Sequence, residues 1–99
     1  MTKKEEENIK DLLSSFIYKQ LGSDVYLDET ILVSGKEGME HSNHSFEDSI
    51  YFNFENSELY DMFNGYGIDD FLDEFEEFCT NHDLKYEFGE SWEINITNL

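Results

Sequence analysis

Apolar residues recur at helical spacing from the start of the chain, with Ile9, Leu12, Leu13, Phe16, Ile17 and Leu21 on one face. Thr2 followed by Glu5 is a capping-box pair, Glu5, Glu6 and Glu7 suit the positive end of a helix dipole, and Gly22 is a natural stop. The spacing predicts a helix over residues 3–21. From Asp24 to Val33 the period shortens to two, with Val25, Leu27, Ile31 and Val33 on one parity and Glu29 as the interruption, which predicts a strand. Residues 34–45 hold Gly35, Gly38, Asn43 and serines without apolar periodicity and predict an exposed, mobile hairpin loop. A second strand is predicted over 46–54, with Ile50, Phe52 and Phe54 facing one way.

Ser57 can cap a short helix carrying Leu59, Tyr60, Met62 and Phe63, which Asn64-Gly65-Tyr66-Gly67 then ends. A longer helix is predicted over 69–82. Phe71, Leu72, Phe75, Phe78, Cys79 and His82 fall on one face of it, Asp69, Asp70, Asp73, Glu76 and Glu77 on the opposite one, and Glu74 at the flank. Leu84, Tyr86 and Phe88 alternate, Gly89-Glu90 reads as a turn, and Trp92, Ile94 and Ile96 alternate again, as in a hairpin. The order αββααββ predicts an α+β fold: a single antiparallel sheet of about four strands with helices packed on one face. Residues 1–99 read as one domain without repeat or linker.

Composition changes this picture in one respect, charge. The 24 Asp and Glu face six Lys and no Arg, a net charge of −18. Solubility alone asks for a magnitude of roughly 2 to 8 in a small domain, so the excess suggests selection for the field itself. A halophilic or generally acidic proteome would give the same balance. The field opposes nucleic acid or an anionic membrane as a direct partner. Nine Phe, six Tyr and one Trp argue against a disordered acidic tail.

Between Lys36 and Lys85 lie fourteen acids and no Lys or Arg. Carboxylates four residues apart on a helix rise by about 6 Å, and successive phosphates on a DNA strand by about 3.4 Å. The match is loose, but two helix rows flanked by Glu58 and Asp61 can imitate a phosphate track. A charged outer face is ordinary for an amphipathic helix; the uniform sign here is not, because the like-charged pairs Asp69/Asp73, Asp70/Glu74 and Asp73/Glu77 each work against the helix. Tyr60, Tyr66 and the two glycines around Tyr66 fall between the acidic helices and form a candidate contact, since Tyr has a wet end and an apolar body; the alternative is that Tyr60 with Met62 or Phe63 merely closes the core edge. The candidate partner-binding residues are therefore Glu58, Asp61, Tyr66, Asp69, Asp70, Asp73, Glu74, Glu76 and Glu77.

Catalytic patterns are missing from the sequence. His41 and His44, and likewise Cys79 and His82, have ligand-like spacing, yet Cys79 falls on the apolar stripe and His82 suits the end of a helix. No segment has the calcium-loop spacing, and there is no P-loop, dinucleotide fingerprint or G-x-S-x-G. The expectation is a non-enzyme without cofactor or metal. The lone Cys79 excludes an internal disulfide, no apolar run reaches the length of a membrane span, and Met1 to Asp11 lacks a signal-peptide core, so a cytoplasmic location is expected.

Length, charge, the acid-coated segment Asp69 to Asp83 and the lack of catalytic motifs resemble, as a class, the phage and mobile-element proteins that block host defence by mimicking DNA: antirestriction proteins and small acidic anti-CRISPR proteins. The resemblance implies an inhibitor of a bacterial defence nuclease, a CRISPR effector before a restriction enzyme, that occupies a basic nucleic-acid-binding site in the host cytoplasm. An acidic immunity protein or antitoxin facing a nuclease toxin, and a general protein-interaction module, are the alternatives. Oligomeric state stays open at this level.

Overall fold

A computed structural model describes residues 1–67 and 70–99. The first helix, α1 (Lys3–Leu21), starts as its sequence demands: Thr2 Oγ1 accepts from the Glu5 amide at 3.1 Å and the Glu5 carboxylate accepts from the Thr2 amide at 2.8 Å. Gly22 ends it in the left-handed region at φ 72°, where its N–H donates to the Tyr18 carbonyl. The order continues with a 3-10 turn (Val25–Leu27), β1 (Ile31–Ser34), α2 (Gly35–Gly38), β2 (Ile50–Asn53), α3 (Leu59–Phe63), α4 (Phe71–Asn81), β3 (Leu84–Phe88) and β4 (Glu93–Asn98). The fold is α+β, with one open four-stranded sheet in the order β1-β2-β4-β3 and every neighbouring pair antiparallel.

Two expectations change in detail. The strand predicted over 24–33 is a 3-10 turn followed by a short strand. Ser23 Oγ accepts from the Val25 amide, and Ser57 Oγ donates to the Tyr26 carbonyl at 2.7 Å, so side chains replace ladder bonds in that stretch. The region predicted as a mobile loop contains α2, capped by Ser34 Oγ, and its glycines are buried. A Cβ on Gly35 would lie 1.9 Å from the Phe46 carbonyl oxygen, and one on Gly38 would lie 2.5 Å from Tyr51 Cβ. Close approach, rather than looseness, is what these glycines provide. The second strand consequently begins at Ile50, and Phe46 is partly exposed.

The alternation of side chains across the sheet separates two environments. On one face Ile50, Phe52, Ile94 and Ile96 meet Ile9, Leu13, Phe16 and Ile17 of α1, Leu59 and Phe63 of α3, and Phe71, Phe75 and Phe78 of α4. Phe75 is at the centre of an aromatic cluster, its ring centroid 5.0 Å from Phe63, 5.6 Å from Phe16 and 4.9 Å from Tyr86. On the other face Tyr51, Glu93 and Asn95 are buried beneath α2 and the segment that follows it. Among the described residues, no helix is long and apolar enough to cross a membrane.

Candidate macromolecular interface

Local chemistry fixes the two acidic helices. Ser57 Oγ accepts from the Leu59 amide at 3.1 Å at the start of α3. At its end, the Asn64 amide group donates to the Tyr60 and Ser91 carbonyls at 2.7 and 2.8 Å, tying α3 to the β3–β4 connection. Tyr66 N–H then donates to the Asp61 carbonyl, while the Tyr66 side chain remains 69% exposed. Asp70 precedes α4 at φ 67°, a left-handed conformation that Asp tolerates better than most residues, and its carbonyl accepts from Glu74. Burying Phe71, Phe75, Phe78 and Cys79 leaves the remaining positions of α4 no freedom: Asp73, Glu74, Glu76 and Glu77 must face water, and all four are exposed.

Glu58, Asp61 and Asp70 are exposed as well, so the structure places every described member of the predicted set on the surface. Asp69 lies outside the described residues. Glu74 and Glu77 edge the groove between α4 and α1, together with Lys19 and Gln20. Glu76 is on the flank toward β3, where its carboxylate accepts from the Tyr86 hydroxyl at 3.2 Å. The ion pairs among the described residues are Lys10 with Glu7 and the Met1 amine with Asp48, and His44 Nε2 is hydrogen-bonded to the Glu90 carboxylate at 3.2 Å. None involves α3 or α4.

The charge is unevenly distributed along the chain. Helix α1 carries Lys3, Lys4, Lys10 and Lys19 against Glu5, Glu6, Glu7 and Asp11, and is neutral overall. The whole −18 therefore belongs to the residues after it, which hold only Lys36 and Lys85 as cations.

The possible metal ligands do not assemble. His41 and His44 are in the segment over the second sheet face, whereas Cys79 is buried in the core on the first. Burial, helped by Glu76, pushes the Cys79 thiol up to about 11, so it is neither nucleophile nor ready thiolate near neutral pH. Among the described residues no three His, Cys, Asp or Glu side chains are grouped as a metal site.

The second face of the sheet holds a buried polar network that no sequence motif announces. Glu93, 2% exposed, accepts from the Tyr51 hydroxyl at 2.5 Å, from Ser42 Oγ at 2.7 Å and from the Glu90 amide at 3.3 Å. Asn53 donates to the Tyr51 hydroxyl, and Asn95 donates to the His44 carbonyl at 2.8 Å. These bonds hold residues 42–44 onto the sheet. The one available signal was the alternation of Glu93 and Asn95 with Ile94 and Ile96, which places polar side chains on the face opposite the core.

Burial pushes the Tyr51 and Tyr86 phenols up to about 12, reinforced by Glu93 for Tyr51 and by Glu76 for Tyr86. Both folded values exceed the ordinary value of 10.0, so the folded state holds these protons more tightly than the unfolded state. Their contribution to stability is complete below pH 10 and is lost as the pH rises from there toward about 12. Urea midpoints measured across that window are expected to fall steeply, and Tyr51→Phe with Tyr86→Phe to flatten the fall. Phenols titrating near pH 10 in the native protein would contradict the assignment.

In comparisons with protein-family models, curated proteins and solved structures, the chain matches none.

Proposed function

We propose that the chain inhibits a bacterial defence nuclease, a CRISPR effector before a restriction enzyme, by seating the carboxylates of α3 and α4 in the basic groove that holds nucleic acid. The observation that carries this reading is the arrangement on α4. Asp73, Glu74, Glu76 and Glu77 are exposed, lack a cation partner among the described residues, and stand on a helix anchored by Phe71, Phe75 and Phe78. A packed helix presents these carboxylates on a backbone that needs no ordering on binding, and their meeting with a Lys/Arg groove releases counterions as phosphates do. No bond is made or broken; inhibition is occlusion, and the protein acts in the cytoplasm of the bacterial host.

A second reading rests on Tyr66, whose exposed ring is a natural anchor for a general interaction module. Capture with the tagged protein from lysate of a bacterium carrying restriction and CRISPR systems, at ~0.1 M and ~0.5 M salt, separates the two. The proposal expects a defence nuclease, unable to bind its DNA, that is released at the higher salt. A partner without nucleic-acid affinity that stays bound at high salt, and is lost with Tyr66→Ala, would replace it.

A further inference from the structure

Strand β3 is an edge of the sheet, and its outer side is free among the described residues. The Gly89 amide donates to the Glu93 carbonyl and the Leu99 amide to the Asp83 carbonyl, in the same register that sets Leu84 opposite Asn98. Hydrogen-bonded pairs recur every second residue in an antiparallel ladder. Lys85 and Glu87 therefore turn their backbone groups toward β4. The N–H and C=O of Leu84, Tyr86 and Phe88 point outward, and no described backbone or side-chain group bonds to them.

Lys85 is the only Lys or Arg after Lys36, and among the described residues it has no carboxylate within ion-pair distance. It sits one residue before Tyr86, and Glu87 sits one residue after. Both are exposed on the sheet face opposite the core. This pattern is self-complementary. When two copies of β3 run antiparallel about a two-fold axis at Tyr86, Lys85 of one copy stands opposite Glu87 of the other, and the reciprocal pair follows by symmetry.

We infer that the chain self-associates through β3, joining two sheets into one continuous sheet. Leu84, Tyr86 and Phe88 then each donate to and accept from the second copy, satisfying the outward backbone groups. The Lys85–Glu87 pairs fall at the non-hydrogen-bonded positions, where Cα atoms approach to about 4.5 Å and cross-strand side chains interact best. Phe88, 39% exposed in the single chain, comes to lie opposite the apolar Leu84 of the partner. Repulsion between two chains of −18 opposes the contact, as does the meeting of the Glu76 flanks of the two α4 helices on the same sheet face. Association is consequently weak at low salt and strengthens as salt screens the field. This inference is independent of which partner the acidic face takes.

The test is sedimentation equilibrium of the full chain over a concentration series, at ~0.05 M and ~0.5 M salt. A monomer–dimer equilibrium stronger at high salt is expected. Lys85→Glu and Glu87→Lys, each turning both symmetric pairs from attraction to repulsion, should each weaken the dimer by about tenfold. Glu87→Lys is the sharper of the two, because it relaxes the net charge from −18 to −16 and, on net charge alone, would favour association. The double exchange Lys85→Glu with Glu87→Lys restores the complementary pattern and should return the dimer to within about threefold of the parent. Circular dichroism spectra of the variants are expected to overlay that of the parent, as befits exposed positions. A chain that stays monomeric at ~0.5 M salt up to about 1 mM overturns the inference. So does a dimer indifferent to both single exchanges, or a folded double variant that fails to regain it.

Discussion

Converting Asp73, Glu74, Glu76 and Glu77 together to their amides is expected to weaken binding of the basic partner by about a hundredfold or more at ~0.1 M salt. Each exposed charge contact contributes up to about 1 kcal/mol, and about 1.4 kcal/mol is tenfold in affinity. The dependence of the binding constant on salt should become shallower at the same time, because fewer salt-screened charge contacts then hold the complex together. All four side chains are exposed and free of ion pairs among the described residues, so the substitutions break no packing. Relief of the like-charged Asp73/Glu77 pair offsets the loss of the favourable first-turn charges Asp73 and Glu74, so the melting temperature should change little. Loss of binding in a fully folded protein is thus the expected result; unchanged affinity and slope would remove the acidic helix from the interface.

The largest effect on stability is expected at the opposite face of the same helix. Phe75→Ala should cost about 4 kcal/mol, since a fully buried ring is lost and its neighbours close only partly into the space. The ring contacts Phe16 of α1, Phe63 of α3 and Tyr86 of β3, so the cavity would open where three elements meet the helix. Against a total stability of roughly 5–15 kcal/mol for a domain of this size, the loss is measurable as a much lower urea midpoint. A cost under about 1 kcal/mol would show that α4 is not anchored as described, and that its carboxylates are not held in fixed positions.

The parts of the fold that sequence made legible are those decided locally. Helix α1 begins at a capping box and ends at a left-handed glycine, both short-range devices visible as Thr2, Glu5 and Gly22. The β3–β4 hairpin follows from alternation on either side of Gly89-Glu90. Structure and local pattern part where distant residues decide. Val25, Tyr26 and Leu27 alternate like a strand, but the bond from Ser57 to the Tyr26 carbonyl comes from more than thirty residues away and fixes a turn. Gly35 and Gly38 read as loop punctuation, whereas they are small because the Phe46 backbone and the Tyr51 ring pass against them.

The candidate site divides along the same line. Exposure of Asp73, Glu74, Glu76 and Glu77 follows from helical periodicity alone and was predictable. The Tyr51–Glu93 network was not, because it requires the β2–β4 register that sets Asn53 opposite Glu93 and Tyr51 opposite Asn95. That pairing joins strands forty residues apart across two intervening helices, and no local pattern records it.

Mimicry makes a demand that binding alone does not: the protein and DNA must exclude one another from the same groove. The direct measurement is the affinity of the captured nuclease for labelled target DNA as the concentration of this protein is raised. Shared occupancy predicts that the apparent DNA dissociation constant rises in proportion to protein concentration without a plateau, and that no ternary complex forms. A plateau, or nuclease that carries DNA and this protein together, would contradict the account, because the acidic face would then bind somewhere other than the nucleic-acid site.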